Sequence, residues 1–169
     1  GNSAIQGQID PIGTPSMSGR LVIVSTPIGN LGDFSERAAR TLEGADIIAC
    51  EDTRMTRKLL ALSGLTSTAK LVPYHDHNGA TMRPRLLADI GDGKIVALVS
   101  DAGTPLISDP GYKLVAGCHD HGFKVTGVPG PSAPLAALTI SGLPSDKFTF
   151  AGFLPPTKKA CETAIKDVS

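Results

Sequence analysis

RLVIVSTPIGNLGDFSERAARTL, residues 20–42, contains a strand, a turn and a capped helix in succession. Leu21 to Val24 is an unbroken apolar run, the pattern of a strand buried on both faces. Thr26-Pro27-Ile28-Gly29-Asn30 stops it, because proline and glycine favour a turn over a continued ladder. Ser35 then stands where an N-cap hydroxyl is wanted, ahead of a helix over Glu36 to Leu42.

The same unit recurs outward from this stretch. Strands are predicted over Asp46–Cys50, Lys70–Tyr74, Lys94–Val99 and Phe123–Thr126. Between and after them, helices are predicted over Thr53–Leu62, Ala80–Ile90, Pro110–His121 and Ser132–Ile140. Strands alternating with helices of this length predict an α/β fold, a mostly parallel sheet flanked by helices on both faces. Ser141-Gly142-Leu143-Pro144 is a clear break, after which Phe148–Phe153 reads as a new strand and Thr157–Ser169 as one amphipathic helix. Residues 1–16 carry glycine, proline and small polar residues without an apolar period. The expected organisation is therefore a flexible extension or cloning remnant over 1–19, an α/β domain over 20–144, and the start of a further domain over 145–169.

With 169 residues, 41% of them hydrophobic, the chain can bury a core, which argues against disorder. Its 16 Lys+Arg balance 16 Asp+Glu, which argues against a protein that coats nucleic acid. Yet all seven arginines lie between Arg20 and Arg85, and every later Lys or Arg is a lysine. Guanidinium forks match phosphates better than ammonium groups do, so a polyanion is expected on the first half, unless these are simply solvated helix faces. No run reaches the roughly 18 apolar residues of a membrane span, and no secretory leader is visible, so the expected setting is soluble and cytoplasmic, with no membrane partner. Cys50, Cys118 and Cys161 are odd in number and widely spaced, which fits buried thiols better than disulfides or zinc.

Ligands of open α/β sheets bind beyond the carboxyl ends of the strands. Three of the turns there are rich in Gly, Pro and small polar residues: Thr26–Asp33, Ser100–Gly111 and Val128–Ala133. Such loops let backbone amides and carbonyls approach a ligand. No GxxxxGK[ST] phosphate loop is present, and no GxGxxG with a following acidic residue comes after the first strand. The residues by themselves point to a small-molecule site at the strand ends and no further.

TPIGNLGD at 26–33, CEDTR at 50–54, YHDHN at 74–78, SDAGTPLISDPG at 100–111 and PGPSA at 129–133 closely resemble, in this order, the tetrapyrrole (corrin/porphyrin) methylase superfamily. The resemblance is to its ribosomal RNA branch, the 16S rRNA ribose 2′-O-methyltransferase I group, and covers about Arg20 to Pro155. It implies S-adenosylmethionine as cofactor, a cytidine 2′-hydroxyl of 16S rRNA in the small ribosomal subunit as acceptor, and a homodimer. It also implies a tetrapyrrole-methylase-like N-terminal domain with the second α/β domain largely missing, so that activity of this chain is an open question. Motif by motif, it places Pro27, Ala102, Gly103, Thr104, Ile107, Ser132 and Ala133 at the methyl donor. Thr104 departs from the Asp that tetrapyrrole enzymes commonly carry there.

Methyl transfer is an in-line displacement, so alignment of the acceptor oxygen is the enzyme's main task. The hydroxyl proton also needs an acceptor, and carboxylates and imidazoles are the usual ones. Glu51, Asp52, His75, His77 and Asp101 are the candidates, with Arg54 beside them to grip a carboxylate or an RNA phosphate. Helix or turn caps compete as roles for Glu51, Asp52 and Asp101, and a plain loop pair for the histidines. His75-x-His77 and His119-x-His121 resemble metal pairs, but neither set is completed to four ligands, so no metal is expected. A tetrapyrrole or diphthine methyltransferase, and a non-catalytic lobe that binds RNA or dimerises, stand as alternatives.

Overall fold

The protein is described by a computed structural model over residues 19–106 and 111–167. Its strands are β1 (Arg20–Val24), β2 (Ile47–Cys50), β3 (Lys70–Pro73), β4 (Ile95–Leu98) and β5 (Lys124–Val128). They form one sheet in the order β3-β2-β4-β1-β5, and every pairing is parallel. Leu21 lies opposite Val96 and Val125, and Ile48 opposite Leu71 and Ala97. The helices are α1 (Glu36–Glu43), α2 (Thr53–Leu62), α3 (Gly79–Gly91), α4 (Tyr112–Asp120), α5 (Ala133–Ile140) and α6 (Lys158–Lys166).

Side chains alternate across a strand, and here the alternation sorts the core into two layers. Leu21, Ile47, Ala49, Val96 and Leu98 pack against Leu86 and Ile90 of α3 and Leu114 and Cys118 of α4. Val22, Val24, Ile48, Cys50, Ala97 and Val99 pack on the other face against Ala38 and Leu42 of α1 and Leu60 of α2. Burying each large aliphatic side chain contributes about 1.5–3 kcal/mol. Local signals agree with the packing: Ser35 Oγ accepts the Ala38 N–H at 3.1 Å, and Ala38 and Leu42, four apart, form the buried stripe of α1.

These layers position the site. After β4 the chain leads to α4 on one face, whereas after β1 and β2, the strands on either side, it leads to α1 and α2 on the other. The loop following β4 therefore emerges between two loops that turn the opposite way, the arrangement beside which open α/β sheets bind ligands.

Two expectations change. Phe148–Phe153 is not a strand: it pairs with neither sheet edge, and Phe153 is 83% exposed. A strand needs a partner's backbone, and no described strand borders this segment. Cys161 is only half-buried, whereas Cys50 and Cys118 are fully buried as expected. The amphipathic helix expected after Thr157 is α6. Of the expected extension, residues 1–18 lie outside the described residues.

Candidate functional site

At the end of β1 the chain meets the long loop after β4. The Thr26 N–H donates to the Gly103 carbonyl at 2.9 Å and the Gly103 N–H donates back to Thr26 at 3.0 Å, a two-residue antiparallel bridge. Gly103 adopts φ +80°, and a Cβ there would stand 3.2 Å from Ile28 Cγ2 and 3.6 Å from the Pro131 carbonyl. Only glycine takes that conformation and that space without strain. Leu106, with φ +75°, is the one non-glycine residue in the left-handed region among the described residues, and backbone strain of this kind concentrates in ligand loops.

A hydroxyl pair fastens the third loop. Thr104 Oγ1 donates to the Pro131 carbonyl at 2.8 Å. Its single proton is thereby used, so in the 2.9 Å contact between Ser25 Oγ and Thr104 Oγ1 it is Ser25 that donates. Ser25 is 3% exposed, and a Cβ on Gly130 would come within 2.9 Å of its own Cβ. The loops after β1, β4 and β5 are thus held together by Ser25, Thr104 and Pro131. Neither Ser25 nor Gly130 was singled out from sequence; a serine closing an otherwise apolar strand is the signal that marks Ser25.

Pro27, Thr104 and Ser132 are half-buried on this platform, while Ala102 and Ala133 are exposed. Ile107 lies outside the described residues. The loops present backbone and small side chains, and glycine sits where a Cβ would fill the gap.

A second group lies beside it, at the ends of β2 and β4. Asp101 Oδ1 accepts the Asp52 N–H at 3.1 Å. Asp52 caps α2 by accepting the Arg54 N–H at 2.9 Å, and its two oxygens also accept from Arg54 Nε at 3.2 Å and Arg54 Nη2 at 3.0 Å. Hydrogen bonding from Arg54 holds the Asp52 carboxyl below the ordinary carboxylate range. The cap role weighed for Asp52 is therefore real, and a guanidinium engaged in this way is already anchored. Glu51 is half-buried between Cys50 and Asp52.

The histidines stand apart. His75 N–H donates to Asn78 Oδ1 at 2.9 Å, and Asn78 Nδ2 donates to the Pro73 carbonyl at 2.8 Å, so Asn78 shapes the turn after β3. The His75 and His77 rings meet edge to face, 5.9 Å between centroids. β3, which the pair follows, lies two strands from β4, about 10 Å at ordinary strand spacing. His121 Nδ1 bonds the Gly117 carbonyl at 2.7 Å and its ring stacks on Phe123, which makes it a helix end-piece. Among the described residues no three His, Cys, Asp or Glu side chains come together as metal ligands, and no helix is long and apolar enough to cross a membrane.

A five-stranded parallel sheet whose glycine-bearing loops converge at one edge is an α/β fold of the class that binds ligands at its strand ends. Residues 20–168 match the profile of the Tetrapyrrole (Corrin/Porphyrin) Methylases, and the chain belongs to that family. It is 58% identical over 135 residues to "Ribosomal RNA small subunit methyltransferase I" of Mesorhizobium japonicum, covering 80% of this chain and 45% of that protein. The protein of the same name from Escherichia coli O157:H7 is 49% identical over 150 residues, covering 89% of this chain and 52% of that one. Among solved structures, uroporphyrin-III-C-methyltransferase from Thermus thermophilus superposes with a TM-score of 0.55 at 27% identity, covering 75% of this chain and 53% of that chain. The chain spans about half the length of the curated relatives it matches.

Proposed function

We propose that this chain is the cofactor-binding lobe of an S-adenosylmethionine-dependent methyltransferase that modifies a cytidine ribose 2′-hydroxyl of 16S rRNA in the small ribosomal subunit. The observation that carries this reading is the 58% identity to a ribosomal RNA small subunit methyltransferase, supported by three strand-end loops that Ser25, Thr104 and Pro131 hold against one another. Residues 20–144 form the lobe, and 145–169 begin the next unit. Homodimerisation in the cytoplasm belongs to the same reading, and the exposed apolar Leu135, Ile140 and Leu143 support a partner surface.

S-adenosylmethionine, when bound, supplies an electrophilic methyl group on a sulfonium. Pro27, Ala102, Gly103 and Ser132 with Ala133 would hold it through backbone and small side chains. Thr104 acts differently: its hydroxyl is spent on Pro131 and Ser25, so it sets the spacing of the loops. For the ribose proton we assign Asp101 as acceptor. It is exposed and two residues from Gly103, and among the described residues the Asp52 amide engages one of its oxygens. Asp52 suits that task poorly, because Arg54 lowers its basicity. Arg54 and Asp52 hold the start of α2 in place, and Glu51, His75 and His77 line the side on which the RNA approaches.

The test is methyl transfer from radiolabelled S-adenosylmethionine to small subunits lacking the modification, using the chain alone and the chain supplied with the remaining half of a full-length relative. Label at a cytidine ribose supports the reading. Label on a tetrapyrrole instead of RNA would replace the substrate while keeping the family.

A further inference from the structure

Helix α2 carries Arg54, Arg57 and Lys58 and no acidic residue between Thr53 and Leu62. All three cations are exposed, and their spacing of three and four residues places them on one face, opposite the buried Thr56 and Leu60. Among the described residues, Arg40 pairs with Glu36 and Lys94 with Asp89. On α2, Arg54 is paired with Asp52, but among the described residues no ion pair reaches Arg57 or Lys58.

This arrangement runs against the stability of the helix. Like charges four apart, as Arg54 and Lys58 are, cost about 0.2–0.5 kcal/mol. A cation in the first turn also opposes the helix dipole, and Arg54 needs Asp52 to offset it. A concentration of unneutralised positive charge that the fold itself does not need is the signature of a surface made for an anion. Its position narrows which anion. The stripe begins where the Asp52 amide meets Asp101, the carboxylate assigned to the ribose, and runs outward along α2.

We propose that Arg57 and Lys58, on the outer face of α2, bind backbone phosphates of the RNA strand whose ribose is presented at Asp101, with Arg54 fixed by Asp52 at the head of the stripe. The inference rests on the RNA reading given above and adds the surface that guides the strand. Phosphate contacts of this kind fix register and orientation without reading base sequence.

The test is titration of the chain with naked 16S rRNA over a range of salt concentrations. Arg57→Gln with Lys58→Gln keeps helix-forming side chains and removes two charges. The double variant is expected to bind about tenfold more weakly at low salt, and its slope of log K against log salt to fall by roughly 1.5, since each phosphate that a cation neutralises adds about 0.7–0.9 to the slope. S-adenosylhomocysteine binding should stay unchanged, and the melting temperature should not fall. Lys113→Gln, an exposed lysine on α4, serves as the comparison and should leave the slope as it was. An unchanged slope in the double variant, or an equal loss in the comparison, overturns the α2 assignment alone. Absence of RNA binding by the unaltered chain overturns the assignment together with its RNA basis, while retained S-adenosylhomocysteine binding in that case keeps the family reading intact. Normal binding to naked RNA with lost binding to whole subunits would show that α2 faces a ribosomal protein, and would overturn the phosphate assignment.

Discussion

Asp101, at the start of the loop after β4, accepts the backbone N–H of Asp52 from the neighbouring loop after β2, at 3.1 Å. One carboxylate thereby joins the strand that leads to the long loop with the strand that leads to α2. Asn at position 101 keeps an oxygen for that amide but loses basicity. Asp101→Asn is therefore expected to leave the melting temperature and S-adenosylhomocysteine affinity near those of the parent, while methyl transfer falls by about 10²–10⁴. Asp101→Ala should in addition destabilise the chain by about 1 kcal/mol, by leaving the amide without its partner. Single-turnover rates beside thermal melts check both, and a fully active Asn variant would remove Asp101 as the proton acceptor.

Asp52 gives a pH prediction. Arg54 lowers its carboxyl pKa in the folded chain relative to the unfolded one, so the stabilisation is complete above the unfolded value and is lost as pH falls through the folded one. The difference in melting temperature between the parent and Asp52→Asn should be constant near neutrality and shrink as pH drops from about 5 toward 2. A difference that grows on acidification would contradict the pairing.

Thr104 is expected to act through loop spacing. Thr104→Val removes the donor to Pro131 and the acceptor for Ser25 while keeping the side-chain shape, whereas Thr104→Ser keeps both bonds. The Val variant should weaken S-adenosylhomocysteine binding at least tenfold and destabilise by about 1–3 kcal/mol for the buried groups left unpaired. The Ser variant should restore binding. Calorimetric titration of both checks this, and normal binding by Val would release Thr104 from the platform.

Thiol labelling probes the core. Burial pushes the Cys118 thiol up to about 11 and also raises Cys50, so neither forms thiolate readily, and both lie inside the core layers. Mass spectrometry after brief alkylation at mild alkaline pH should show Cys161 modified first, with Cys50 and Cys118 protected until the chain is denatured. Early labelling of Cys118 would mean that α4 does not pack as described.

The sheet was legible because its strands are short apolar runs and its turns carry Gly, Pro and caps, so α2 falls on its expected bounds and β1 and α1 within a residue. The same rule failed at Phe148–Phe153, where apolar and aromatic content suggested a strand but no neighbouring strand supplies the ladder. For the candidate site, the residue types at the strand ends singled out three loops, and the ligand proposed for them came from the family resemblance. What sequence did not reveal was how the residues divide. Hydrogen bonds between residues far apart in sequence, Ser25 to Thr104 and Asp101 to Asp52, separate the loop-spacing groups from those left open to a substrate. That β2 stands between β3, which leads to the histidines, and β4, which leads to the long loop, is a matter of strand order that the chain order does not give.

The central claim is that the converging loops after β1, β4 and β5 hold the methyl donor. Amide chemical shifts of the isotopically labelled chain, followed during titration with S-adenosylhomocysteine, test it most directly. The account predicts saturable shifts at Ile28, Gly29, Ala102, Gly103 and Ser132, little change in α3 and α6, and loss of the effect in Gly103→Val, whose side chain would meet Ile28. Shifts confined to other parts of the sheet, or no shifts from a folded chain at saturating ligand, would contradict it.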